Sequence, residues 1–308
     1  MAGDQGLNLG TLGATVATLN AGANTATGAG VTAIMGAVAS ATITGSSGND
    51  DITIDGVTGN VNLSGGAVRV AANLTTTDTI SGGDGTADVL RTTAAIAEGY
   101  FAPTTRTITG FEQLTLTSAG TASTTLTTAN VDTGITRVNM AGTGGTYGVT
   151  GPAGTFTATT TAALGGTLTL TDTGTATTDA ATLTNSGVAN ANVLAGQNVT
   201  STGYETLTIN VGSGSATNLA AQTLGTVTVT PDTGGTGALV LTGGNTLTMG
   251  ATNAASLDAS GLTGTTGLNQ SAAATSTTIT ITGSGKADTL VGGTGNDTIS
   301  GGAGNDNI

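Results

Sequence analysis

Apolar and polar residues alternate in short runs along this chain of 308 residues. Examples are Thr115-Leu116-Thr117, Thr167-Leu168-Thr169-Leu170-Thr171, Thr206-Leu207-Thr208-Ile209 and Thr226-Val227-Thr228-Val229-Thr230, with Thr246-Leu247-Thr248-Met249 and Thr278-Ile279-Thr280-Ile281-Thr282 further on. Period two with β-branched residues predicts strands with one face inward. Gly, Asn and Asp between the runs predict turns. Leu168, Val188, Leu207, Val227, Leu247 and Leu268 lie nineteen to twenty-one residues apart. That spacing predicts one apolar row of a parallel β-helix with coils of about twenty residues, stacked at ~4.8 Å. The fold expected is all-β, an elongated parallel β-helix or β-solenoid. Segments of β-sandwich are the alternative, since short, closely spaced strands build those too. Residues 1–40 carry Leu7, Leu12, Val16 and Leu19 without a clean period and read as an irregular cap or linker.

Composition supports a thin core. Aromatics are 2% and charged residues 7%, while 53 residues are glycine. A compact globular core leans on bulky rings, whereas a solenoid can close on Val, Ile, Leu and Ala. The net charge of −13, with only five basic residues, disfavours nucleic acid as a partner. Crowded carboxylates repel until a cation neutralises them. His and Cys are absent, which removes Cys–His and Ser–His nucleophiles and the zinc-hydrolase motifs. The five basic residues, Arg69, Arg91, Arg106, Arg137 and Lys286, are scattered, so the chain is not expected to be an enzyme. The N-terminus has no basic stretch followed by an apolar one, as an ordinary secretory signal would. The apolar run 31–41 is too short to span a bilayer, so no membrane insertion is expected.

The specific chemistry lies at the C-terminus. GSGKADTLV, GGTGNDTIS and GGAGNDNI follow one another from Gly283, Gly292 and Gly301. Glycines lead each unit, an aspartate is sixth (Asp288, Asp297, Asp306) and a branched aliphatic is eighth (Leu290, Ile299, Ile308). Glycine permits a tight turn with exposed carbonyls. The carboxylate adds a hard charged oxygen of the type Ca²⁺ takes in sixes to eights. Nonapeptides of this form wind a calcium-binding β-roll. Candidate ligating positions are Gly283, Gly285, Asp288, Asp297, Gly301, Gly302, Gly304 and Asp306. A second, broken set runs through residues 45–90. There Gly48 and Asp50 lie in a unit that fits the frame except for Ser46, Asp78 heads a segment that fits its second half, and the Gly82–Leu90 run with Asp84 has one extra residue before Asp88; the competing reading is Asx turns that cap their own backbone. Gly110-Phe111-Glu112 and Gly203-Tyr204-Glu205 each head a strand. They read as structural corners, with the ring covering a coil edge and the carboxylate accepting backbone N–H groups; ligand binding is the alternative. The expected division is a cap at 1–40, a solenoid at 41–282 and the start of a nonapeptide array at 283–308.

In order, GSSGNDDIT, DTISGGDGTADVL, GFEQLTLT, GYETLTIN, the Leu257–Leu262 run LDASGL and the terminal array resemble the calcium-dependent surface-layer proteins of Gram-negative bacteria, of the repeats-in-toxin (RTX) group. The resemblance covers about residues 41–308. It implies type I secretion, folding outside the cell on Ca²⁺, and self-assembly into a two-dimensional lattice at the cell surface. An adhesin or a repeat module of a larger secreted protein shares the same chemistry, and ice binding by Thr-X-Thr arrays is a narrower variant. The array stops inside a repeat and no long N-terminal helical region is present, so a fragment or small member is expected. Any contact with surface polysaccharide would then use other regions. In the family's roll each coil uses two nonapeptides. The resemblance therefore implies that Asp288 and Asp306 share one ion, while Asp297 lacks a partner turn and holds calcium weakly, and that Lys286 at a glycine position weakens the first turn.

Overall fold

The computed structural model describes residues 7–13, 15–23, 30–35, 41–44, 46, 51–54, 61–64, 67–70, 79–81, 87–94, 97, 107–120, 125–186, 192–212, 221–276 and 278–308. Chain contacts divide it into two compact units, Met1–Ser118 with Thr127–Asn139 and Ala119–Leu126 with Met140–Ile308. The first thirteen strands are β1 (Leu7–Thr11), β2 (Thr18–Asn20), β3 (Val31–Met35), β4 (Ala41–Thr44), β5 (Asp51–Ile54), β6 (Val61–Ser64), β7 (Ala67–Val70), β8 (Thr79–Ser81), β9 (Val89–Thr92), β10 (Thr107–Thr109), β11 (Gln113–Leu116), β12 (Thr125–Thr127) and β13 (Arg137–Met140). In the first unit β1-β3-β5-β7-β9-β11-β13 lie side by side, and β10-β8-β6-β4-β2 form a second sheet.

The second unit continues with β14 (Tyr147–Gly151), β15 (Thr155–Thr160), β16 (Leu168–Asp172), β17 (Ala180–Asn185), β18 (Gln197–Gly203), β19 (Thr206–Asn210), β20 (Ala221–Pro231), β21 (Ala238–Gly243), β22 (Thr246–Met249), β23 (Ser256–Leu262), β24 (Leu268–Gln270), β25 (Thr280–Thr282) and β26 (Thr298–Ser300). Its sheets have the orders β12-β14-β16-β18-β20-β22-β24 and β15-β17-β19-β21-β23-β25-β26. As far as β25 consecutive strands alternate between sheets, and each pairs in parallel with a strand a full coil later. This is a parallel β-solenoid. Every pairing among the described residues is parallel, which excludes the sandwich alternative.

The alternation read in the sequence sets the layering. Leu168 and Leu170, Leu183, Leu207 and Ile209, and Leu239 and Leu241 are fully buried between the sheets, while the alternate residues, mostly threonine, point outward. A Leu or Val inside and a Thr outside suit a pleated surface that is dry on one face.

Two expectations fail. The described part of residues 1–40 is not irregular: β1, β2 and β3 lie there, and β1 pairs β3 in parallel. Their strands of three to five residues are too short to show a period. The predicted row holds only where Leu247 pairs Leu268. Leu168 pairs Val199, Val199 pairs Val227, and Val227 bridges Thr252. Leu207 lies in the other sheet beside Ala181 and Leu239, and Leu247 lies beside Gln222 and Leu268. Val188 falls outside the described residues. Coil length is not about twenty: Ala238 pairs Ser256, 18 residues on, while Thr206 pairs Ala238, 32 residues on. The ladder fixes strand register, and the corners take up the difference.

Phe111 and Tyr204 are fully buried, as the corner reading expects, each following a left-handed glycine, Gly110 at φ +78° and Gly203 at φ +86°. The Glu112 carboxylate accepts the Asp88 N–H at 2.9 Å from the preceding coil. Glu205 accepts two, the Asp179 N–H at 2.9 Å and the Asp232 N–H at 3.0 Å, so it ties the coils on both sides. The Tyr204 hydroxyl donates to the Pro152 carbonyl at 3.1 Å, and its ring stacks on Phe156 at 6.2 Å between centroids. A buried donor left without an acceptor costs about 1–3 kcal/mol. Glu205→Ala should therefore destabilise the protein by about 2–4 kcal/mol in denaturant unfolding. Glu112→Ala, which frees one donor, should cost about half as much, and Glu205→Gln, which keeps one oxygen, should fall between wild type and Glu205→Ala.

Candidate calcium site

The terminal nonapeptides form the last coils of the second unit. Thr280 pairs Thr298 and Thr289 pairs Asn307, each 18 residues apart, so two nonapeptides make one coil. Ile281 and Leu290 are buried, Ile299 is half-buried and Ile308 is exposed. The turn 301–306 stacks directly on the turn 283–288. A Cβ on Gly283 would collide with the Gly301 carbonyl oxygen, and one on Gly302 with the Ser284 carbonyl oxygen. A Cβ on Gly304 would lie 2.6 Å from the Lys286 carbonyl oxygen. Gly302 (φ +92°) and Gly304 (φ +128°) also hold backbone angles that side chains resist. Carbonyl oxygens of one turn thus meet bare glycine of the other. Gly285 faces open space, and Lys286 is exposed with its charge in solvent.

Each aspartate reaches back one coil. Asp306 accepts the Asp288 N–H at 3.1 Å, and Asp297 accepts the Ile279 N–H at 3.0 Å. Asp288, only 2% exposed, accepts the Leu268 N–H at 2.5 Å. Asp288 and Asp297 also take the N–H four residues before them, from Ser284 and Gly293, both at 2.8 Å. The sequence reading missed this second use of the carboxylates, and it missed Ser284. That hydroxyl donates to Asp288 at 3.0 Å and accepts the Lys286 N–H at 3.1 Å. Its signal was a serine where the later units have Gly293 and Gly302.

The donor set fits calcium. Asp288, Asp306 and the carbonyls of Ser284, Lys286 and Gly301 are hard oxygens gathered at one pair of stacked turns. Each carboxylate oxygen has two lone pairs, so an N–H and a cation can share it. No group of three or more acidic, His or Cys side chains gathers among the described residues, so carbonyls and water must complete any coordination shell. The Asp297 turn is poorer. It stacks on residues 274–276, where a Cβ on Gly293 would strike the Ser276 carbonyl, and that segment carries no carboxylate.

Asp88 lies in the first unit, buried, with its N–H held by Glu112. Gly48, Asp50, Asp78 and Asp84 fall outside the described residues.

The family model for the RTX calcium-binding nonapeptide repeat (4 copies) matches residues 280–308. No curated protein and no solved structure matches the chain. The last coils are therefore RTX-type calcium-binding repeats carried on a parallel β-solenoid. Among the described residues no helix is long and apolar enough to cross a membrane. Replacing one of two facing carboxylates should weaken the ion more than replacing a solitary one. In calcium titration calorimetry of the full chain, Asp306→Asn should lower affinity by about tenfold or more, equivalent to about 1.4 kcal/mol. Asp297→Asn should change it by less than about threefold.

Proposed function

We propose that this chain is a non-catalytic structural protein of a bacterial cell surface, folding on calcium outside the cell and assembling with copies of itself into a two-dimensional lattice. The observation that carries this reading is the continuity of the array with the solenoid. β25 pairs β23 on one side and β26 on the other, so the nonapeptide coils extend the same sheet as the coils before them. Calcium that orders the last coils offers an ordered edge to those before them, and binding free energy becomes folding free energy. The excess of carboxylates opposes folding where calcium is scarce. Outward faces of threonine suit repetitive packing between copies, and the motif order GFE, GYE and LDASGL adds to the surface-layer reading.

One observation favours the water-ordering variant. The Thr-X-Thr pairs are unevenly spaced in sequence yet stand in columns: Thr169, Thr200 and Thr228 form one, and Thr171, Thr202 and Thr230 the other. An ice-recrystallisation assay separates this from the lattice.

Extracellular calcium modules bind at ~10⁻⁴–10⁻³ M. Circular dichroism should lose most of its β signal in EDTA and regain it at millimolar calcium. Negative-stain images should show sheets with calcium and dispersed particles without. Dispersed particles at every calcium level, with the β signal still calcium-dependent, would make the chain a module and not a lattice subunit.

A further inference from the structure

The second unit holds a carboxylate pair outside the nonapeptide array, Asp172 half-buried and Asp179 buried. Asp172 ends β16 between two glycines, pairing Gly151 on one side, with Gly203 beside it on the next strand. A Cβ on Gly203 would lie 2.8 Å from that of Asp172, so the column stays open only because its neighbours are glycine. Asp179, at the start of the next strand, is 4% exposed. Its Oδ1 accepts the Gly154 N–H at 2.9 Å. Its Oδ2 has no well-aligned hydrogen-bond partner and no solvent, and neither has either carboxylate oxygen of Asp172, whose nearest donors are the backbone N–H groups of Gly174 and Thr173. The orphans converge: a Cβ on Gly174 would stand 2.9 Å from Asp172 Oδ2 and 3.1 Å from Asp179 Oδ2.

Like charges this close and this dry cannot both persist unaided. Burial and the facing Asp179 push the Asp172 carboxyl above the usual range, and the nearby N–H groups of Gly174 and Thr173 offset only part of that. Burial, with the fields of Asp172 and Asp179, likewise pushes the Tyr204 hydroxyl upward. No basic side chain of this unit can answer them. Its sole basic residue is Lys286. Along the strand order β16-β18-β20-β22-β24 and on to Thr289, Lys286 lies five coils away, roughly 24 Å.

We propose that Asp172 and Asp179 form a further cation site, independent of the nonapeptides, that takes calcium between the three orphaned oxygens. Only oxygen donors are present, which selects a hard divalent ion over a transition metal. Thr173 and residues 175–178, which flank the pair in sequence, are exposed, so an ion reaches it from the surface side of this turn. Glu205 is a positioning residue here: it holds the Asp179 N–H and so sets where that carboxylate stands. The site does not depend on lattice assembly.

Terbium(III) takes the same oxygen ligands as calcium and emits when a nearby tyrosine is excited. Residues 283–308 contain no aromatic side chain, so tyrosine-sensitised emission does not report the array. In the full chain that emission should be lost in Tyr204→Phe and in Asp172→Asn/Asp179→Asn, and kept in Asp306→Asn. Calcium bound at saturation should fall by one ion per chain in the double aspartate variant and stay unchanged in Tyr204→Phe. Emission and calcium count both unaltered in the double variant would overturn the site. So would an unaltered count in Asp172→Asn with raised stability, because the pair would then share a proton that the Asn amide replaces. Should the aspartate variants fail to fold, undiminished emission in Tyr204→Phe still overturns it.

Discussion

Backbone N–H groups at the corners of a solenoid have no ladder partner, and this protein gives them carboxylates. Strands satisfy one another along each sheet, but the chain leaves the ladder at every bend, where a buried N–H without an acceptor is costly. Glu112, Asp132, Asp179, Glu205, Asp288, Asp297 and Asp306 each accept N–H groups at such bends, most of them from a neighbouring coil. These seven of the chain's 18 acidic residues therefore act as braces between coils as well as contributing to its low pI of about 4.1. A carboxylate engaged in this way retains lone pairs, so one group can hold the stack and offer oxygen to a cation.

That arrangement explains how so little bulk suffices. The second unit closes on single rows of Leu, Ile, Val and Ala, with Phe156 and Tyr204 stacked at one bend. Parallel sheets normally have both faces covered. Here the outer face is threonine, whose branched carbon favours the extended backbone and whose hydroxyl faces outward. Stability is then distributed over coil-to-coil contacts, as in other solenoids.

The sequence made the layering plain, because inward and outward positions follow from period two alone. The nonapeptides were as plain, since nine residues specify both a turn and its ligands. The GFE and GYE corners were legible as well, since an aromatic and an acid side by side in so apolar a chain have few other uses. Coil length was not. Leu168 and Leu207 look like members of one row, yet they lie in different sheets, because nothing local records how many residues a corner consumes. Asp179 passed unnoticed for the same reason. TATTDAATL resembles any polar turn until its partners, Gly154 and Glu205, arrive from coils 25 residues before and 26 residues after. Ser284 was visible only as a departure from glycine, and its bonds to Asp288 had no sequence counterpart.

The tolerance of the ladder for coils of 18 or 32 residues has a consequence for how such a molecule can change. Either coil advances the stack by the same ~4.8 Å. Residues added at a corner widen the circumference and leave the axial step untouched, and the entropy of closing a longer loop rises only with the logarithm of its length. Surface ornament and axial period are thus separate variables. A lineage of such proteins can exchange its corner loops, and with them whatever the surface presents, while every copy keeps the same repeat along its axis.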